Sequence, residues 1–146
     1  MVAVLPPRHP LAKARTVGLA DLLASPLVLM DRDSSVRRSV DAACASIGRI
    51  AAPVFEVAYM ATAIGLVRAG LGATLLPSSA ADWRAAGDLV MRDLAHPRVE
   101  RELGVVQQKR RVLAPAAEAF VEILREVAAG RTSRGKTAPR KRRAGG

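Results

Sequence analysis

The stretch from Pro26 to Pro77 constrains the fold most tightly. Three short, mostly apolar segments, Leu27 to Met30, Val54 to Val57 and Ala73 to Leu76, are separated by two segments whose apolar residues recur at helical spacing. Apolar runs this short suit strands, and strands that alternate with helices point to an α/β fold with a largely parallel sheet. Asp31 to Ser35 is a polar turn rich in helix-capping residues. It opens a helix carrying Val36, Val40, Ala43 and Ile47, which Gly48 is expected to stop. The second helix spans about Tyr59 to Ala69 and closes at Gly70, with Ala61, Ile64 and Val67 facing a sheet. Gly72 then lets the chain re-enter the sheet closely. The short links predict that the second and third strands pair in parallel through a right-handed crossover.

The flanks fill in the same pattern. Val2 to Leu5 reads as a strand stopped by Pro6 and Pro7, Leu19 to Leu23 as one helical turn, Ser78 to Ala85 as a short helix, and Leu89 to Leu94 and Glu102 to Gln107 as strands. Leu113, Ala117, Phe120, Val121, Leu124 and Val127 trace an apolar stripe on a final helix that starts near Pro115 and is expected to end at Gly130. Beyond it, the basic, Gly-, Ser- and Pro-containing tail cannot bury enough surface to offset its ordering entropy, which predicts disorder.

Composition excludes several classes of function. Aromatic residues make up 3% of the chain and hydrophobic residues 50%. The core must therefore be built from Ala, Leu and Val, and base stacking on an aromatic platform is excluded. The lone Cys44 rules out an internal disulfide, and His9 and His96 are too separated to found a zinc cluster. A reducing, cytoplasmic setting and no cofactor are expected. Met1 to Pro10 lacks the apolar core of a secretory signal, and no apolar run is long enough to span a bilayer, so no membrane partner is expected. The net charge of +10 is uneven: seven basic residues from Arg131 to Arg143 follow the last acid, Glu126, and leave only +3 on the rest.

The candidate binding residues gather at two strand-to-helix junctions. In an open α/β sheet, ligands settle beyond the carboxyl ends of the strands, where helix N-termini offer unpaired N–H groups and a partial positive charge. Asp31, Arg32, Ser34 and Ser35 occupy the first junction and Tyr59, Met60 and Thr62 the second. The same positions also have plain structural roles: one serine can cap the helix, and Met60 can simply pack. Arg37 and Arg38 sit in a first helical turn, where cations oppose the helix dipole, so an anion or acid is expected nearby. An ordinary surface ion pair of Arg37 with Asp33 or Asp41, four residues to either side, would serve. Gly70, Leu71 and Gly72 follow a helix and do not form a phosphate-cradling loop.

Five ordered segments then resemble one family. RHPLA at Arg8 to Ala12, ADL at Ala20 to Leu22, LMDRDSSVRRSVD, FEV with MATAIGLVRAGLGATLLP, and RVLAPAAEAFVEIL are similar, in family order, to the effector-binding domain of LysR-type transcriptional regulators. The resemblance covers nearly all of Val2 to Arg125. It implies a type 2 periplasmic-binding-protein-like fold of two α/β lobes with a small-molecule effector between them, and side-by-side homodimerisation. Residues 1–126 would be a partial domain. Within it, 11–94 form a largely complete second lobe, 101–126 supply the returning strand and helix of an otherwise missing first lobe, and 127–146 form a disordered basic tail. The winged helix-turn-helix, the linker helix and most of the first lobe are not among these residues. DNA contact would then run through that missing domain, or weakly and without sequence preference through Arg131 to Arg143.

Rival classes are less well supported. No Ser, His and acid set and no paired carboxylates sit at plausible junctions, so an enzyme is not expected. A solute-binding protein of the same fold would need a secretion signal. A non-specific nucleic-acid binder would rest wholly on the tail.

Overall fold

A computed structural model describes residues 1–79, 88–100, 104–109 and 112–134. The chain divides into two units, Met1–Glu102 and Leu103–Gly146.

Among its described residues the first unit has six strands: β1 (Val2–Leu5), β2 (Thr16–Val17), β3 (Val28–Met30), β4 (Phe55–Val57), β5 (Thr74–Leu76) and β6 (Val90–Leu94). β1 pairs antiparallel with β5 on one side and with β6 on the other, and β2 runs parallel to β6. β3 and β4 pair in parallel. A parallel bridge between Leu27 and Ala73 joins the two sets, with Val28 N–H donating to the Ala73 carbonyl and Ala73 N–H to that of Pro26, both at 2.9 Å. The strands therefore follow the order β4, β3, β5, β1, β6, β2, with β1 alone running against the rest.

The parallel direction expected for the second and third apolar runs is present, but these strands are not neighbours. Each lies beside β3, and the chain crosses over it through α3 (Met60–Arg68). A helix about 10 Å across covers two strand spacings of about 4.8 Å, so a crossover that skips one strand packs well.

Both faces are covered at the central strands β1, β3 and β5, which is why these read as nearly unbroken apolar runs, whereas β4 at the edge and β6 carry charged residues. On one face Ala3, Leu5, Leu27, Leu29 and Leu75 pack with Leu19 and Leu22 of α1 (Leu19–Leu22) and with Val40, Ala43 and Cys44 of α2 (Ser35–Ser46). On the other, Val2, Val4, Met30 and Leu76 pack with Val36 and with Ile64 and Val67 of α3. Ala63 is buried in α3 where Ala61 was expected; Ala61 is exposed. Ile47 is exposed and caps α2. Gly48 and Gly70 end their helices with φ of 66° and 77°, conformations that disfavour any residue with a Cβ.

The RHPLA segment has a local explanation. His9 Nδ1 accepts from Leu11 N–H at 3.2 Å and so caps a 3-10 turn at Pro10–Lys13. Its burial pushes the imidazole pKa down, which favours the neutral ring that can accept this bond.

Two expectations in the C-terminal region are corrected. Residues 104–107, the described part of the Glu102 to Gln107 run, are exposed and form no strand; an extended segment without a ladder partner is not a sheet strand. The final helix, α4 (Pro115–Arg134), continues through Gly130 rather than stopping there. One interior glycine costs only about 1 kcal/mol, too little by itself to end a helix. Most of the short helix expected over Ser78 to Ala85, and the tail after Arg134, lie outside the described residues.

Candidate functional site

The two junctions singled out in the sequence meet at one rim. Asp31 N–H donates to the Val57 carbonyl at 2.9 Å, extending the β3–β4 ladder one step past Met30. The chain segments leaving these two strands therefore start side by side, with Asp31 to Ser35 leading into α2 and Ala58 to Thr62 into α3.

Capping differs between the two helices. Ser34 is the N-cap of α2, its Oγ accepting from Val36 N–H at 3.1 Å, and Asp31 Oδ1 accepts from Ser34 N–H at 3.1 Å. The structural role foreseen for one serine thus belongs to Ser34. Ser35 is exposed, and its carbonyl accepts from the Ser39 hydroxyl at 3.0 Å. α3 has no side-chain cap; the Tyr59 carbonyl accepts from Thr62 and Ala63 N–H, each at 3.1 Å. A first turn without a cap leaves backbone donors open to solvent or ligand. Thr62 is exposed, Tyr59 is 73% exposed, and half-buried Met60 packs against the Ile64 and Val67 cluster. Packing explains Met60, while Tyr59, Thr62 and Ser35 stand at the surface of the rim.

Arg37 departs from the expected surface ion pair. It is 2% exposed and reaches three partners: Asp41 Oδ1 at 3.0 Å, Glu56 Oε1 at 2.9 Å and the Met30 carbonyl at 3.0 Å. Asp41 is one of the two acids foreseen. Asp33 is not a side-chain partner; its backbone carbonyl accepts from Arg38 at 2.8 Å. Burial opposes the charge on Arg37, but the bonds to Glu56 and Asp41 outweigh it and raise the guanidinium pKa. Arg32, 80% exposed, faces the same Glu56 oxygen at 3.8 Å. Glu56 was absent from the sequence-based candidates because it lies mid-strand, and nothing local shows that its side chain meets Arg37 nineteen residues away.

A concavity of about 380 Å³ lies beyond the end of β6, away from the rim, lined by Met1, Thr16, Asp93, Leu94, Arg98 and Glu100 among others, none of them a sequence-based candidate. Among the described residues no cluster of His, Cys, Asp and Glu could hold a metal ion, and no helix is long and apolar enough to cross a membrane.

Cys44 carries no reactive chemistry here. It is fully buried, and burial, reinforced by Asp41, pushes its thiol pKa up against the opposing pull of Arg37. Only the thiolate is an effective nucleophile. Cys44 should label with a thiol reagent such as DTNB only as fast as the fold opens, and at once in denaturant; rapid labelling of the native protein would contradict this burial.

Comparison with known proteins gives consistent matches. The LysR substrate binding domain family matches residues 1–129. The transcriptional dual regulator GltC of Bacillus subtilis is 34% identical over 122 residues, which are 84% of this chain and 41% of GltC. Among solved structures, HinK, a LysR family transcriptional regulator from Pseudomonas aeruginosa, superposes with a TM-score of 0.73 at 31% identity, over 86% of this chain and 44% of that one. The effector binding domain of QuiR in complex with shikimate shares the fold, with a TM-score of 0.66 at 24% identity over 83% of this chain and 57% of that domain. The chain thus spans less than half the length of GltC and HinK.

Proposed function

The chain belongs to the LysR substrate-binding-domain family, and from that premise we propose that it senses a small anionic or strongly hydrogen-bonding metabolite at the rim where β3 and β4 end. As an effector-binding domain it has no part in reading DNA sequence. The bond from Asp31 N–H to the Val57 carbonyl supports the reading, because it joins the ends of the two strands from which the chain leads into α2 and α3. Ser35, Thr62 and the open donors of the α3 first turn supply hydrogen bonds, Arg32 supplies charge, and Tyr59 supplies an apolar wall. Residues 11–94 act as the second lobe and 101–126 as the return segment of the first. The ligand is closed over by first-lobe residues outside this chain, so binding to residues 1–146 is weak.

Side-chain substitutions separate capping from binding. Ser34→Ala should cost about 1 kcal/mol of stability through the lost cap. Ser35→Ala and Thr62→Ala should leave stability nearly unchanged and each weaken effector affinity by about 1 kcal/mol. Calorimetric titration with a panel of small carboxylates, shikimate among them, beside thermal melts reads both quantities. Unchanged affinity in the Ser35 and Thr62 variants would remove this rim as the binding site.

A second copy of the chain is the proposed protein partner. Ile47, Ile50, Val54 and Phe55, 37%, 90%, 61% and 38% exposed, cluster in sequence around the end of α2 and the edge strand β4. An apolar sheet edge of this kind invites a second copy. Ile50→Glu should shift sedimentation toward monomer without lowering the melting temperature of the monomer; an unaltered association state would rule this edge out. Any DNA affinity of residues 1–146 comes from Arg131 to Arg143, ignores sequence and falls steeply with salt.

A further inference from the structure

Arg37, Glu56 and Arg32 form an ion-pair triad whose three members are held with very different strength. Arg37 is buried and fixed by Glu56, Asp41 and the Met30 carbonyl, all within 3.0 Å. Glu56 is 40% exposed at its side chain, and its Oε1 is held by Arg37 at 2.9 Å. Arg32 meets that same oxygen at 3.8 Å with 80% of its side chain in solvent. An exposed pair at this distance is worth little and is screened by salt, whereas the Arg37 pair is hydrogen-bonded at 2.9 Å and buried on its guanidinium side. Arg37 therefore holds the carboxylate more firmly than Arg32 does, and the outer guanidinium is the one that can leave it.

We infer that Arg32 is the specificity-determining cation of the rim and that Glu56, pinned by Arg37, is its resting counter-ion, which an anionic ligand must displace. The inference rests on the proposed binding rim and adds a selection rule to it. A neutral ligand gains nothing by drawing Arg32 away from Glu56. An anion gains the guanidinium, because the bond to Arg37 holds Glu56 back from following it. Arg37 does not touch the ligand; it is a positioning residue that keeps the counter-ion in place.

The test uses the 146-residue chain and sulfate as a minimal anion. Sodium sulfate is titrated against sodium chloride at constant ionic strength, and the amide resonances of Ser34 to Val36 and Met60 to Thr62 are followed. Glu56→Gln should tighten sulfate binding roughly two- to fivefold, the range set by an exposed ion pair. Arg32→Gln should weaken it by a similar factor. The deciding measurement is the double variant Arg32→Gln with Glu56→Gln, in which the gain from Glu56→Gln should disappear. If the gain persists there, Glu56 acts only through its general field and the counter-ion role is overturned; no gain in the single variant overturns it equally. Should Glu56→Gln loosen the fold around Arg37, exposed Arg32→Gln still decides, since unchanged sulfate affinity in that variant refutes the role of Arg32. Absence of any saturable shift in the unaltered chain would instead remove the rim as an anion site, and this inference with it.

Discussion

Gly72→Ala should lower the stability of the first unit by about 3 kcal/mol, combining overpacking with broken backbone hydrogen bonds. A Cβ at Gly72 would lie 2.6 Å from the Pro26 carbonyl oxygen and 3.1 Å from its carbon. Both atoms are backbone, so no side chain can swing aside to relieve the overlap. The same carbonyl accepts from Ala73 N–H, and the Ala73 carbonyl accepts from Val28 N–H, each at 2.9 Å. Moving Pro26 away therefore pulls open the bridge that joins β3 and β4 to the other four strands. A loss of about 3 kcal/mol is a large share of the 5–15 kcal/mol by which a domain is stable. Gly70→Ala is the matched control. Its φ of 77° strains any side chain, but nothing lies within 4 Å of an added Cβ, so about 1–2 kcal/mol is expected. Urea unfolding of both variants checks the order, and an equal or smaller loss for Gly72→Ala would show that the β3–β5 junction tolerates expansion.

The role of Gly72 was legible in the sequence because it depends on its immediate neighbours: a glycine between a helix end and an apolar run has few uses. The same holds for Gly48 and Gly70 as helix stops, for Ser34 before Val36, and for the runs at Val2 to Leu5 and Leu27 to Met30, whose lack of alternation reflects central strands covered on both faces. Features fixed by partners distant in sequence were not legible. Arg37 looked like a surface residue because Asp33 and Asp41 stand at helical spacing, and that spacing does find Asp41; the burial comes from Glu56 on a neighbouring strand. The placement of β3 between β4 and β5 likewise depends on how α3 spans the sheet, which the lengths of the links do not specify. At the rim, the sequence located both junctions but gave Ser34 and Ser35 the same standing. Only the geometry separates them, with one hydroxyl bonded to Val36 N–H and the other residue exposed.

Arg92 carries the second large effect, and it too is invisible to local reading. It lies in β6, and its guanidinium reaches back about eighty residues to the segment around the 3-10 turn. Nε donates to the Ala14 carbonyl at 2.5 Å, one terminal nitrogen to the Ala12 carbonyl at 2.6 Å, and the other to the Met91 carbonyl at 2.8 Å. The Ala12 and Ala14 carbonyls sit where a short turn ends, and turn ends leave acceptors that need donors. One planar fork serves all three, which a lysine ammonium on a flexible stem does not match. Arg92→Met keeps much of the aliphatic packing and removes every donor. It should cost about 3 kcal/mol, the upper range for hydrogen bonds to a charged group, tempered by the partial exposure of Arg92. Arg92→Lys should recover less than half of that loss. The damage should be local before it is global, because β2 (Thr16–Val17) follows the fastened segment directly and is the short edge partner of β6. Amide exchange at Ala14, whose N–H donates to the Leu11 carbonyl at 3.2 Å, should therefore accelerate in Arg92→Met under conditions where the β1–β5 amides stay protected. If stability falls with no change in the order of exchange, Arg92 supports the sheet as a whole; if neither changes, the three carbonyls are served as well by water, and the fork is not what fastens this segment.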